Sequence, residues 1–389
     1  LPLCRHADAP VIILVARVSG SCSPEPRPAT GLQSLDIDEF RNIETARLKF
    51  SSGLNLITGA NAAGKTSLLE AIYCLGRAHS FRAHDADRLI REGQPGWRLV
   101  GRIGLAEGRE IPVGIERRPG KYRIHLEGRS ISRLSDLAGR LPVHVMSGDT
   151  VNILSGGPRF RRQTLDWALF HVEQGYREAW QRYARALRQR NAALRAQVTA
   201  GQVSAWDTEL IDAAGIVDRL RRNYLNGLLP RLHTELNILL PGVELILRYR
   251  SGWPRDKTLT VALQQSLDRD RAQGYTHPGP HRADFTLCTG ENPVMARLSR
   301  GQQKATILGF LLAQMKQQCA LAAPPGAFLL DDLTSELDVD HQARTVAALA
   351  ECQAQVFVTA IDPEALHSAG WPVHKRFHVE HGVIQEVVQ

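Results

Sequence analysis

Cysteines, aromatic side chains and long apolar runs are all scarce in this 389-residue chain, and each scarcity closes off a class of protein. The six cysteines (Cys4, Cys22, Cys74, Cys288, Cys319 and Cys352) stand apart, with no CxxC pair and no histidine at zinc spacing. That excludes a disulfide scaffold and a zinc module, and leaves reduced, mostly buried thiols of a cytoplasmic protein. No stretch reaches the roughly 20 consecutive apolar residues of a membrane helix, so no membrane partner is expected. Aromatics make up 6% of the chain and form no ladder of the kind that stacks unpaired bases. The apolar run Pro10 to Val18 superficially resembles a secretory leader, but the residues before it are not strongly basic. With no initiating Met, residues 1–31 read as a poorly ordered extension or a mis-set start.

What the chain does have is a basic balance of uneven placement. The formal net charge is +8, with 21 basic and 16 acidic side chains in residues 1–150, 20 and 13 in 151–290, and 7 and 11 in 291–389. An arginine-rich excess suits phosphate backbones, because Arg makes bidentate contacts and each neutralised phosphate releases counterions.

The most informative stretch is Gly59-Ala60-Asn61-Ala62-Ala63-Gly64-Lys65-Thr66-Ser67, a GxxxxGK[ST] loop between the apolar run Leu54 to Thr58 and a helical pattern from Ser67 to Leu75. Its glycines let backbone N–H groups turn inward around phosphates, Lys65 reaches the outer phosphates, and the Thr66 hydroxyl is placed to ligate Mg2+. The positive end of the following helix faces the same anion. ATP and Mg2+ are therefore the expected cofactors.

Two further clusters complete the pattern. Ala327 to Asp332 is an apolar strand ending in two carboxylates; Asp331 is assigned to the metal and Asp332 to the attacking water. Leu298-Ser299-Arg300-Gly301-Gln302-Gln303-Lys304 opens an apolar helix and resembles the signature that ATP-binding-cassette ATPases place across a dimer interface. There the Ser299 hydroxyl, Gly301, Gln302 and the helix N-terminus would meet the γ-phosphate held by a second chain. Lys65, Ser299 and Asp332 are thus the expected catalytic residues.

Period-2 alternation predicts paired strands over Leu32 to Phe40 and Glu44 to Phe50, and an antiparallel meander from Trp97 to Arg129. Val143 to Met146 is a further strand. From Arg159 to about Leu240 the pattern becomes helical, with Arg177, Arg182, Arg185, Arg188, Arg190 and Arg195 on one largely polar helix and a second helix over Ile211 to Leu240. The frame is expected to resume at Ala283 to Cys288. The division is then a head in two parts, 32–155 and 276–389, with a helical insertion at 156–275.

Residues 32–389 resemble the RecF family, related to the SMC-type cassette ATPases. The resemblance rests on DEFRNI at 38–43, SLLEAIY at 67–73, RFRRQTLDW at 159–167, GPHRADF at 279–285, LSRGQQK at 298–304 and FLLDDLTSELD at 328–338. It implies an α/β, ABC/SMC-type ATPase head with an antiparallel β subdomain and an inserted helical domain, dimerising on ATP. It also implies binding to gapped DNA or single-strand/duplex junctions, RecO and RecR as partners, recombinase loading, and slow, DNA-stimulated hydrolysis that drives release. Position by position, Arg41 and Asn42 would lie against the nucleotide beside Gly59, Asn61, Ala62, Ala63, Gly64 and Ser67. Asp338 falls in the loop crossing the dimer interface, and Thr359 where many cassettes have a γ-phosphate-sensing histidine.

The chain departs from the family at Met146 to Val151, where a Pro-Glu pair is missing and no metal-coordinating glutamine is found; Ser147 and Asp149 stand as candidates there. For DNA, the candidates are Arg117, Arg118, Lys121 and Arg123 in the N-terminal lobe and Arg159, Arg161, Arg162, Arg185 and Arg188 in the insertion, favouring duplex backbone contact. His281 and Arg282, after the Pro278-Gly279-Pro280 turn, are expected to pack under the ATP site.

Overall fold

The computed structural model describes residues 31–83, 85–105, 108–131, 137, 140–321, 326–332, 342, 344–345, 347, 349, 354–361 and 374–387; the N-terminal 30 residues lie outside these. β1 (Gly31–Phe40) and β2 (Ile43–Lys49) form a hairpin whose two-residue turn is Arg41-Asn42, since Phe40 pairs with Ile43. β3 (Leu54–Thr58) follows, buried along its whole length, and the phosphate loop then opens α1 (Lys65–Arg77). β4 (Trp97–Gly104), β5 (Glu110–Arg118), β6 (Lys121–Leu126) and β7 (Arg129–Ile131) make the meander, and β8 (Val143–Met146) returns beneath α1.

The helical part comprises α2 (Pro158–Val172), α3 (Gln174–Arg195), α4 (Asp207–Leu239) and α5 (Leu259–Gln273), with β9 (Ile246–Arg250) between the last two. β10 (Asp284–Thr289) and β11 (Asn292–Pro293) lead to α6 (Arg300–Ala320). β12 (Ala327–Leu330), β13 (Gln355–Ala360), β14 (His374–Glu380) and β15 (Val383–Val387) complete the chain.

These elements form two six-stranded sheets and one small one. The first, in the order β2-β1-β4-β5-β6-β7, is antiparallel throughout. The second, β15-β14-β3-β13-β12-β8, is parallel except for its edge strand β15. Because side chains alternate across a strand, Leu329, Phe357 and Phe377 face α1 and the antiparallel sheet, while Phe328, Leu330, Val356 and Val358 face the helical part. α1 is sandwiched between the two sheets: Leu68, Leu69, Ile72 and Leu75 are fully buried, each worth about 1.5–3 kcal/mol relative to exposure. The phosphate loop is thereby anchored at both ends.

Two expectations are corrected here. The segment Ala283 to Cys288 does not rejoin the parallel sheet; it is β10, whose partners are β9, through Phe285 opposite Tyr249, and β11. This small sheet therefore joins strands on either side of residue 275. On α3, Arg190 does not belong to the polar face: its side chain is fully buried, bonded to Asp207 and Asp270 at 2.8 Å each and to Thr276. A buried charge is tolerated only when paired in this way. Cys74, Cys288 and Cys319 carry free thiols, the first two buried. Among the described residues no helix is long and apolar enough to cross a membrane.

Candidate nucleotide-binding site

β3 delivers the chain into the phosphate loop, and the loop's shape depends on its two glycines. Gly59 (φ 150°) and Gly64 (φ 121°) occupy conformations a side chain would strain, and a Cβ on Gly64 would lie 2.8 Å from the Asn42 amide nitrogen. Asn42 in turn donates to the Ala63 carbonyl at 3.1 Å, and the Gly382 N–H reaches the same oxygen at 2.8 Å. Ala63 is thus buried and held from behind, while Asn61, Ala62, Gly64 and Ser67 line a cavity of about 650 Å³.

Lys65 folds back across the loop, its Nζ donating to the Gly59 carbonyl at 2.7 Å and to Ala60 at 3.0 Å. Burial pulls the Lys65 pKa down, and the carboxylates of Asp332 and Asp331 push against that shift. The Thr66 hydroxyl contacts both Asp331 oxygens, at 2.9 and 3.1 Å. This hydroxyl and carboxylate make an all-oxygen donor pair of the sort Mg2+ takes when substrate phosphates and waters supply the rest. Burial raises the Asp331 pKa, opposed by hydrogen bonds from Thr66 and Thr359.

Thr359 corrects an expectation. It is fully buried behind the carboxylates, with its hydroxyl donating to Asp331 Oδ1 at 3.0 Å and accepting from the Asp332 N–H at 2.7 Å. It does not line the cavity; it orients the acidic turn, where Asp332 takes a left-handed φ of 55°. Asp331 and Asp332 both line the same cavity as the loop residues.

The Arg41 guanidinium is bidentate to buried Glu70 of α1, with both bonds at 2.8 Å, and its third arm donates to the Arg88 carbonyl at 2.9 Å. Ser80 also donates to Glu70. This ties the β1–β2 turn to the second turn of the phosphate-loop helix and sets Arg41 at the cavity wall. Gly148 went unnoticed in the sequence, as did three lining residues after α1: Arg82, Arg88 and Ile90. The last three lie in an irregular connection that carries no periodic pattern, and an isolated arginine there gives no signal.

Other expected residues lie elsewhere. Ser299 caps α6: its hydroxyl accepts from the Gln302 N–H at 3.3 Å while the Gln302 side chain accepts from the Ser299 N–H at 3.0 Å. Gly301 is exposed in the first turn beside them, and none of the three lines the cavity. Asp338 lies outside the described residues. Ser147 is nearly buried, its N–H donating to Thr150 Oγ1; Gly148 beside it reaches the cavity, and the Asp149 side chain lies outside the described residues.

Of the DNA candidates, Arg117 pairs with Asp87 and Arg118 with Glu116, at 2.8 and 2.7 Å, while Lys121 and Arg123 are exposed. Arg159, Arg185 and Arg188 are exposed. Arg161 and Arg162 do not form a free basic surface. Arg161 is bidentate to buried Asp284, at 2.7 and 3.0 Å, and Arg162 donates to the Ala283 carbonyl at 2.7 Å, so both fasten α2 to β10. His281 bonds to the Tyr183 hydroxyl at 2.5 Å and faces the Thr276 carbonyl, which puts it against the helical insertion instead of beneath the nucleotide cavity.

A GxxxxGK[ST] loop on a mostly parallel sheet, paired with an Asp-Asp strand end and flanked by an antiparallel sheet and a helical insertion, defines an ABC/SMC-type ATPase head. The profile of the RecF/RecN/SMC N terminal domain family matches residues 31–385. The DNA replication and repair protein RecF of Shewanella loihica is 39% identical over 353 residues, covering 90% of this chain and 98% of that protein. Its counterpart from Stutzerimonas stutzeri is 39% identical over 362 residues, covering 92% and 97%. The solved structure of the recombination mediator protein RecF with ATP, in the RecFOR pathway, superposes with a TM-score of 0.83 at 23% identity, covering 94% and 100%. An Smc head bound to the C-winged helix domain of ScpA gives 0.55 at 16%, covering 92% and 97%, which marks a shared fold. The chain belongs to the RecF family.

Proposed function

We propose that this chain is an ATP-gated DNA-binding protein of replication and recombinational repair, a cytoplasmic recombination mediator whose hydrolysis times its release from DNA. The observation that carries the nucleotide chemistry is the convergence of Lys65, Thr66, Asp331 and Asp332 on one cavity wall, with Thr359 fixing the acidic turn from behind. Bound Mg2+, held by Thr66 and Asp331, would neutralise phosphate charge. Lys65 binds the outer phosphates, the loop N–H groups cradle them, and Asp332 orients the attacking water.

Ser299 stands at a helix N-terminus outside the cavity, which supports a composite site. In that reading Ser299, Gly301 and Gln302 of one copy close over the nucleotide of its partner, so ATP drives dimerisation. Family membership supports a preference for gapped or junction DNA and RecO and RecR as partners. Exposed Arg159, Arg185, Arg188, Lys121 and Arg123 are the phosphate contacts.

The test is ATP turnover per chain at rising protein concentration, with and without gapped duplex. Specific activity that rises with concentration and again with DNA supports the composite, DNA-gated site. Turnover flat in both overturns it.

A further inference from the structure

α3 carries exposed Gln181, Arg185, Arg188, Ala192 and Arg195 at alternating spacings of four and three, so they form one stripe along the helix. Arg185 to Arg195 spans about 15 Å. None of the three arginines has a carboxylate within salt-bridge distance among the described residues, unlike Arg182 on the same helix, which pairs with Glu209.

The stripe ends against the glycine that precedes an exposed aromatic residue. Arg195 packs on Gly274, where an added Cβ would meet its Cγ at 3.0 Å, and the next residue is Tyr275, 38% exposed. The Tyr275 ring lies 4.5 Å from that of His277, tilted by 35°, and the exposed Arg282 guanidinium stands 5.7 Å from its centroid, again with no carboxylate partner among the described residues. The loop bearing this platform is fastened from below. Thr276 donates through both N–H and hydroxyl to Asn191, at 2.8 and 2.7 Å, and the His277 N–H and ring bond to fully buried Asp270, at 3.1 and 2.6 Å. Asp270 and Thr276 are in turn held by buried Arg190. A half-exposed tyrosine with fixed neighbours and an unpaired guanidinium loses little entropy on stacking, and both planes accept any base.

We propose that Tyr275 and Arg282 form a base-stacking step for an unpaired nucleotide, with the Arg185–Arg188–Arg195 stripe guiding the adjoining phosphates. The occupant is the single-stranded arm of a DNA ligand. This rests on the DNA-binding reading above and adds where the unpaired side of the ligand is held.

The experiment compares the full chain with ATP on a blunt duplex and on the same duplex with a single-stranded tail carrying 2-aminopurine. Tyr275→Ala should weaken tailed-DNA binding about tenfold and leave the blunt duplex unchanged, consistent with the usual effect of losing one stacked base. Tyr275→Trp should restore affinity and change the 2-aminopurine emission. Equal loss on both ligands, no loss on the tailed one, or failure of Trp to rescue overturns the proposal. An Arg185→Ala/Arg188→Ala double variant separates the two readings. If it loses both ligands while Tyr275→Ala loses neither, DNA binding by this face stands and the stacking step falls; if the unsubstituted chain binds neither ligand, the DNA reading itself falls.

Discussion

The Thr359 hydroxyl donates to the Asp331 carboxylate at 3.0 Å, from a fully buried position near the end of β13, the strand next to β12, which Asp331 directly follows. The bond sets the carboxylate's rotation toward Thr66 and simultaneously holds the Asp332 backbone. Thr359→Val keeps the shape and removes the donor. A lost hydrogen bond to a charged group is worth about 1.5–3 kcal/mol, so turnover should fall roughly tenfold or more while ATP affinity changes little. Thr359→Ser should retain activity. Steady-state hydrolysis alongside equilibrium nucleotide binding checks both.

Asp332→Asn should leave ATP binding and ATP-driven dimers intact and slow turnover at least tenfold, in the range removed with a group that orients a nucleophile. Single-turnover hydrolysis is the measurement, and unchanged turnover would remove the water-positioning role from Asp332. Lys65→Ala is the companion variant, expected to abolish ATP binding.

How legible the site was depends on sequence distance. The phosphate loop is contiguous, so spacing alone reveals Gly59, Gly64, Lys65 and Thr66, and the mostly apolar β3 and all-apolar β12 announce buried parallel strands. The pairing of Glu70 with Arg41 was invisible, because a glutamate on a helix ordinarily faces water and nothing local says that this one is buried. Arg161 looked like a surface cation for the same reason: its partner Asp284 is 123 residues away. Thr359 lies within β13, and the side of the carboxylates it occupies depends on the register of β12 against β13, which no local pattern shows. Tyr275 gave no signal because the arginine stripe beside its loop comes from α3, far away in sequence.

Burial lowers the pKa of His144 to about 3 and that of His281 to about 4. Above about pH 6.5 these rings are neutral whether the chain is folded or unfolded. Below it the unfolded chain takes up protons the folded one refuses, so stability falls by about 1.4 kcal/mol per pH unit for each ring, down to its folded pKa. Asp331, raised by burial, works in the opposite sense at the acid end. Urea denaturation between pH 7 and pH 4.5 should show a falling midpoint, and a His144→Gln variant should show a shallower fall.

Ser299→Arg tests the composite site without touching the cavity its own chain contributes, since Ser299 lies outside that cavity's wall. Losing the N-cap bond to Gln302 costs about 1 kcal/mol, small enough to leave the α6 packing in place. ATP should then bind with nearly wild-type affinity, because Lys65, Thr66 and Asp331 are unchanged. The ATP-dependent dimer should disappear in light scattering, because a bulky cation replaces the small hydroxyl proposed to sit over the partner's γ-phosphate. Mixing this variant with Lys65→Ala sharpens the result. In a mixed dimer one site pairs an intact loop with an intact Ser299 while the other is doubly broken, so partial turnover should return at high concentration. Restored turnover requires that the two catalytic halves come from different chains; mixtures as inactive as the separate variants would place Ser299 outside the catalytic unit.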